Sequence, residues 1–115
     1  MTTTIWHNPR CSKSRQTLQL LQEHGINAEV FEYLKAQPSE AEIQQVLDQL
    51  GMNAKQLLRA KEDEAKQQNL AAADDAMVLA AMHNTPKLIE RPIVVHNGKA
   101  ALGRPPENVL TLFGQ

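Results

Sequence analysis

The 115-residue sequence predicts an α/β fold in which helices flank a four-stranded mixed sheet. Three observations support this prediction: a β-α-β pattern at the start of the chain, a helical insertion in its middle, and a β-hairpin pattern followed by a helix at its end. Strands joined by a helical crossover run parallel and hairpin strands run antiparallel, so the sheet should be mixed. We expect one domain over residues 1–115, because a chain of this length buries a single core.

The first strand and the first helix meet at the only cysteine of the chain. Residues 2–7 are rich in β-branched and aromatic residues, which favours a strand. From Ser12 onward apolar residues recur at helical spacing, and Gly25 can end that helix. Residues 28–33 alternate in polarity and predict the second strand, parallel to the first. Cys11 is therefore predicted at the start of the first helix.

The middle of the chain predicts a series of helices. Ser39 and Glu42 form a capping-box pattern, and the apolar residues that follow are spaced for a helix that ends near residue 51. A short helix is indicated over residues 54–58. The polar residues 61–68 are typical of a solvated helical face or a loop. A further helix, capped by Asp74, must end before the proline at position 86.

The last third of the chain predicts a hairpin and a helix. Residues 91–96 form a strand pattern with proline near its start, and Asn97-Gly98 strongly indicates a tight turn. Residues 99–102 would form the returning strand, and the prolines after Gly103 suit the first turn of a final helix. This order of elements is that of thioredoxin-like folds.

Charge and composition exclude several classes of protein. The net charge is −1, and eleven acidic residues against five basic ones lie in residues 23–75. Nucleic-acid binding is not expected, because it calls for a basic face and often stacking aromatic residues, and the chain has four aromatic residues. No apolar run is long enough to span a membrane, and the residues after Met1 do not resemble a signal peptide.

The cysteine content indicates a reducing environment. One cysteine cannot form an internal disulfide, which fits a cytoplasmic protein. One cysteine and four scattered histidines also make a structural zinc site unexpected, so we predict no metal.

The surroundings of Cys11 predict a reactive thiol. Three cations, Arg10, Lys13 and Arg15, lie in the first 22 residues, which contain no acidic residue. Backbone N–H groups and the positive end of the helix dipole also converge at a helix start, where they favour a thiolate and a bound oxyanion. Cys11 should therefore have a lowered pKa and act as a nucleophile near neutral pH. The alternative is a small buried apolar residue, the commonest role of a lone cysteine.

These residues resemble the glutaredoxin-coupled arsenate reductase family, most closely its short chromosomal members. Order and spacing agree over essentially the whole chain. Five segments carry the resemblance: His7-Asn8-Pro9 before Cys11, Ser14-Arg15 after it, Leu57-Leu58-Arg59, Arg91-Pro92-Ile93-Val94-Val95, and Gly103-Arg104-Pro105.

The resemblance implies an arsenate reductase that serves arsenic detoxification. Cys11 would attack arsenate and form a covalent thiol–arsenate adduct, with Arg59, Arg91 and Arg104 around the oxyanion. Glutathione, a co-substrate rather than a tightly bound cofactor, would reduce the adduct. Glutaredoxin would then remove glutathione from Cys11. We expect a monomer, and a chain with one cysteine must have its oxidised intermediate resolved by an outside thiol.

The resemblance also implies supporting roles around the thiol. His7 would support the thiolate, Ser14 and Arg15 would stabilise it, and Pro92 would be cis and bring its strand beside the cysteine. Considered without the resemblance, His7 is equally compatible with a surface position at the strand end, whereas Arg59 is better explained as the end of a helix.

Two other functions remain open. One is a transcriptional regulator or partner-binding protein of the same fold; such regulators typically carry C-x-x-C, whereas this chain has Ser14 at the second position. The other is a monothiol reductase of a different substrate. The phosphatase-like arsenate reductases place an arginine six residues after the cysteine, where this chain has Thr17.

Overall fold

The computed structural model describes residues 2–114, which group into two compact units. One unit comprises the residues up to Ala36 together with those from Arg91 onward, and the other is Gln37–Glu90. The terminal residues of the predicted domain, 1 and 115, lie outside the described residues, and the single domain stays a prediction. None of the helices within residues 2–114 combines the length and apolar character that crossing a bilayer requires.

The first unit is built on a four-stranded mixed sheet, as the sequence predicted. The strands are ordered β2-β1-β3-β4, with β1 parallel to β2 and antiparallel to β3, and β3 antiparallel to β4. Their bounds are Thr3–Trp6 (β1), Glu29–Phe31 (β2), Ile93–His96 (β3) and Lys99–Leu102 (β4). Helix α1 spans Ser12–Glu23, helix α2 spans Tyr33–Ala36, and a 3-10 helix spans Pro106–Phe113.

The core of this unit joins the sheet to its helices. Ile5 and Val94 from the central strands, Leu21 from α1 and Val109 from the 3-10 helix are fully buried together. At the end of β1, Trp6 lies edge-on to Phe31 with ring centroids 5.0 Å apart, and it stacks on Tyr33 at 6.2 Å. Apolar burial thus fixes the strand end from which the cysteine turn departs.

The second unit consists of short helices, as predicted for the middle of the chain. Helices α3 to α6 span Glu40–Leu50, Ala54–Leu57, Asp63–Gln67 and Asp75–Asn84. Short 3-10 helices occupy Leu70–Ala72 and Pro86–Leu88. The predicted capping box is present: the Ser39 hydroxyl accepts from the Glu42 N–H at 3.1 Å, and the Glu42 carboxylate accepts from the Ser39 N–H at 3.0 Å.

The structure departs from two details of the prediction. The second strand ends at Phe31 and not at residue 33, because Tyr33 turns into the aromatic cluster and begins α2. The last helix is a 3-10 helix, whose i to i+3 pattern includes the bond from the Asn108 N–H to the Pro105 carbonyl.

Candidate active site

Cys11 is the N-cap residue of α1, which confirms its predicted position at the helix start. Its extended backbone (φ −94°, ψ 123°) lets its carbonyl accept the first helical bond, from the Arg15 N–H at 3.0 Å. The Cys11 N–H donates to the Asn8 carbonyl at 3.0 Å, which closes the turn. The side chain is partly exposed, so the sulfur is available for chemistry.

Local hydrogen bonds shape the turn before the cysteine. The Asn8 side-chain oxygen accepts from the Arg10 N–H at 3.0 Å, and the Arg15 guanidinium donates to the Pro9 carbonyl at 2.9 Å. The His7 N–H donates to the Phe31 carbonyl at 2.9 Å, which ties the turn to β2. Arg15 therefore holds the turn that presents Cys11. The sequence did not reveal that the Asn8 side chain accepts a hydrogen bond within this turn, although Asn before Pro is a common turn signal.

His7 and Ser14 form a buried pair beneath the turn. His7 Nδ1 lies 2.6 Å from Ser14 Oγ, and that oxygen also accepts from the Asn8 N–H at 3.0 Å. Burial lowers the pKa of His7, with nearby Glu32 opposing the shift and Arg15 adding to it. The neutral ring can accept at Nδ1, so the Ser14 hydroxyl can donate to it while accepting from Asn8. The side chain of Ser14 is thus directed at His7.

The Cys11 thiol has a lowered pKa for reasons visible in its surroundings. Partial burial raises the pKa of this thiol, but the backbone N–H of Ser14, the guanidinium of Arg91 and the backbone N–H of Lys13 more than offset that effect. The net pKa of Cys11 lies below its ordinary value. Two of these contributors are helix N-terminal amides, the groups that the sequence position predicted.

Arg104 and Arg91 are brought to the cysteine from the far end of the chain. Arg104 Nη2 lies 3.9 Å from Cys11 Sγ, and Arg104 Nε donates to the Arg91 carbonyl at 2.7 Å. The Arg91–Pro92 peptide bond is cis, the form that the resemblance implied, and the Arg104–Pro105 bond is cis as well. Two guanidinium groups and the start of a helix therefore surround the sulfur, an arrangement that can bind a tetrahedral oxyanion beside a thiolate.

Arg59 lies in the second unit among carboxylates. Its Nε is 3.2 Å from Glu62 Oε1 and its Nη1 is 3.4 Å from Glu90 Oε1. Its backbone N–H donates to the Leu88 carbonyl at 2.8 Å. A role for Arg59 in binding the oxyanion stays a prediction. Across residues 2–114, no group of three or more His, Cys, Asp or Glu side chains could hold a metal ion.

The fold and the site define a thioredoxin-like protein with a single thiol at a helix start, next to arginine side chains. The model of the ArsC family matches residues 6–112. The chain belongs to the ArsC family of arsenate-reductase-like proteins.

Similar proteins cover nearly the whole chain. YfgD of Escherichia coli K12, an uncharacterized protein, is 52% identical over 113 residues, which cover 96% of this chain and 95% of that protein. The arsenate reductase of Neisseria meningitidis serogroup A is 47% identical, over 91% of this chain and 92% of its own. The structure of an arsenate reductase from Vibrio cholerae is 49% identical with a TM-score of 0.94, covering 97% of this chain and 98% of that one.

Proposed function

We propose that this protein reduces arsenate to arsenite at Cys11, with glutathione and glutaredoxin as the thiol partners. The observation that carries the proposal is the placement of the Cys11 sulfur at the start of α1, 3.9 Å from an Arg104 nitrogen. The similar proteins from Neisseria meningitidis and Vibrio cholerae, both called arsenate reductases, support arsenate as the oxyanion.

The first step is attack of the Cys11 thiolate on arsenic. A sulfur–arsenic bond forms, and one arsenate oxygen leaves as water after taking up protons. The guanidinium groups of Arg91 and Arg104 offset the charge of the thiolate and of the oxyanion as they approach each other. A role for Arg59 as a third arginine at the oxyanion is implied by the family resemblance alone.

The second step reduces arsenic and oxidises sulfur. A glutathione thiolate attacks the Cys11 sulfur, and the sulfur–arsenic bond breaks with its electron pair passing to arsenic. Arsenite leaves, and a mixed disulfide joins Cys11 to glutathione. A glutaredoxin thiol then takes the glutathione and restores the Cys11 thiol, because the chain has no second cysteine to do so.

The remaining residues have supporting roles in this proposal. Arg15 holds the turn through the Pro9 carbonyl, His7 lies within hydrogen-bond distance of the Ser14 hydroxyl, and the Ser14 backbone N–H lowers the pKa of Cys11. The Arg91 carbonyl, which precedes Pro92, accepts from Arg104 Nε and so orients that guanidinium. We propose that the protein works as a monomer in the reducing cytoplasm, where glutathione would be available.

Arsenite production tests the proposal. Arsenate, glutathione, glutaredoxin and an NADPH-linked recycling system are supplied to the wild type, to Cys11→Ser and to Arg91→Ala. We expect no turnover from Cys11→Ser and about 100-fold lower kcat/KM from Arg91→Ala, the usual cost of removing one donor at a developing anion. A folded wild type that yields no arsenite would contradict the proposal. Faster glutathione-dependent reduction of another substrate would favour the monothiol reductase instead.

A further inference from the structure

Position 103 requires glycine because there is no room for a side chain, and not because its backbone adopts a positive φ angle. An ideal Cβ built on Gly103 would lie 2.5 Å from Thr17 Oγ1 and 2.7 Å from Pro92 Cγ, closer than real Cβ atoms approach. The φ angle of Gly103 is not in the left-handed region. Four glycines show the opposite combination, a positive φ with open space at the Cβ position: Gly25, Gly51, Gly98 and Gly114.

The atoms around Gly103 cannot move aside by side-chain rotation alone. Thr17 is fully buried in α1, and its hydroxyl donates to the Lys13 carbonyl at 2.8 Å. A β-branched side chain held in this way has little rotamer freedom. The Pro92 ring is closed onto its own backbone. A methyl group at position 103 must therefore displace the backbone of α1, of the Pro92 segment, or of position 103 itself.

Each of these backbones carries a part of the thiol site. Gly103 donates its N–H to the Pro92 carbonyl at 2.9 Å, and the next residue, Arg104, donates from Nε to the Arg91 carbonyl at 2.7 Å. On the other side of the contact, Thr17 lies on the helix that begins immediately after Cys11. The separation between the sulfur and the two arginines thus depends on how closely α1 approaches the Pro92 segment.

We infer that Gly103 is a positioning residue for Cys11. By lacking a side chain, it lets Thr17 and Pro92 pack over it, which sets the distance between the thiol and the guanidinium of Arg104. The same contact sets where an oxyanion would lie, and that part of the inference rests on the proposed function.

The pH dependence of Cys11 alkylation by iodoacetamide tests the inference without turnover. In Gly103→Ala we expect the pKa of the thiol to rise toward that of a free cysteine, because the Arg91 guanidinium that lowers it lies farther away. Arsenate should also protect the thiol less well. Loss of one charge-assisted hydrogen bond predicts about tenfold more arsenate for half-protection. Circular dichroism would establish that the variant is folded.

Two variants separate positioning from general damage. Gly25→Ala strains the end of the same helix but meets no atom within 4 Å, so it should lose stability and keep the alkylation profile of the wild type. Gly103→Ala combined with Thr17→Ala removes the Thr17 contacts at 2.5 and 3.1 Å and leaves the Pro92 contact at 2.7 Å. The pKa of its thiol should lie between those of Gly103→Ala and of Thr17→Ala alone.

Three results would overturn the inference. The first is a folded Gly103→Ala protein with the thiol pKa and arsenate protection of the wild type. The second is an equal pKa shift in Gly25→Ala. The third applies if Gly103→Ala does not fold. In that case, equal thiol pKa values in the double variant and in Thr17→Ala would overturn the inference, whereas a higher value in the double variant would support it. The proposed function and this inference can fail separately. If the wild type does not reduce arsenate but Gly103→Ala still shifts the alkylation profile, the proposed function is wrong and Gly103 remains a positioning residue.

Discussion

Arg104 and Arg59 show two ways in which this chain holds an arginine. Arg104 donates to a backbone carbonyl at 2.7 Å and directs another nitrogen at a sulfur 3.9 Å away. Arg59 faces the carboxylates of Glu62 and Glu90 at 3.2 and 3.4 Å. A carbonyl orients a guanidinium without neutralising it, whereas a carboxylate does both. The contacts of Arg104 thus suit it to stabilise an anion, and those of Arg59 suit it to hold neighbouring segments of its own unit together.

Between these two arginines, the larger effect is expected from replacing Arg104 by lysine. A lysine keeps the charge but lacks the fork of donors needed to bond the Arg91 carbonyl and face Cys11 at once. We expect kcat/KM for arsenate to fall about 100-fold, as for a misplaced catalytic group. The thiol pKa, followed by thiolate absorbance, should stay below its ordinary value, because Arg91 and two backbone amides lower it. Full activity in Arg104→Lys would mean that a positive charge is sufficient for catalysis. The hydrogen-bond contacts that distinguish Arg104 from Arg59 would then have no catalytic importance.

Replacing Ser14 by alanine should cost stability more than reactivity. The variant deprives His7 Nδ1 and the Asn8 N–H of their buried partner. Leaving buried polar groups unsatisfied costs about 2 kcal/mol of unfolding free energy, measurable by urea denaturation. The Ser14 backbone N–H that lowers the pKa of Cys11 remains, so the thiol pKa should stay below its ordinary value. A thiol pKa that returns to the free value would show that the hydroxyl acts on the sulfur directly.

Arg59→Ala separates a binding role from a structural one. Its ion pairs are partly exposed, and such pairs contribute at most about 1 kcal/mol, so the free energy of unfolding should change little. If Arg59 also binds the oxyanion, KM for arsenate should rise about tenfold, the usual effect of one lost charge-assisted bond. Glu62→Gln is the matched control, because it removes one ion-pair partner and keeps the guanidinium. An unchanged KM in Arg59→Ala would mean that Arg59 has a structural role within residues 37–90 and does not bind the oxyanion.

The smallest expected effect is a pH dependence of stability due to Cys11. Its thiol pKa is lower in the folded protein than in the unfolded chain, so the unfolded chain binds more protons between the two values. The wild type should gain stability relative to Cys11→Ser as pH rises from the folded-state pKa to about 8.5, the ordinary thiol value. The gain is lost as pH falls through the folded-state pKa. Parallel stability curves for the two proteins would contradict this prediction.

The sequence was informative where a structure depends on neighbours along the chain. The capping box of Ser39 and Glu42, the helix start at Cys11, and the parallel and antiparallel strand pairs follow from residue types at short spacing or from rules of connection. The alternation over residues 28–33 could not reveal where the strand ends, because burial of Tyr33 in the aromatic cluster decides that point. Tertiary packing overrides local preference there.

The site was only partly visible in the sequence for a similar reason. Arg104 is 93 positions from Cys11, and no local pattern encodes their 3.9 Å approach. The crowding of Gly103 by Thr17 and Pro92 is equally a property of three segments that meet only in the fold. The family motifs identified the candidate residues of the site, whereas tertiary packing determines which atoms each of them contacts.

The aromatic cluster at the end of β1 gives the protein a built-in optical probe. The chain has one tryptophan and one tyrosine, and Trp6 and Tyr33 stack in the sheet unit. Near-ultraviolet emission therefore reports on that unit alone, while far-ultraviolet circular dichroism also records the helices of residues 37–90. Coincident denaturation curves from the two signals would make the chain one cooperative folding unit, and separated curves would make it two.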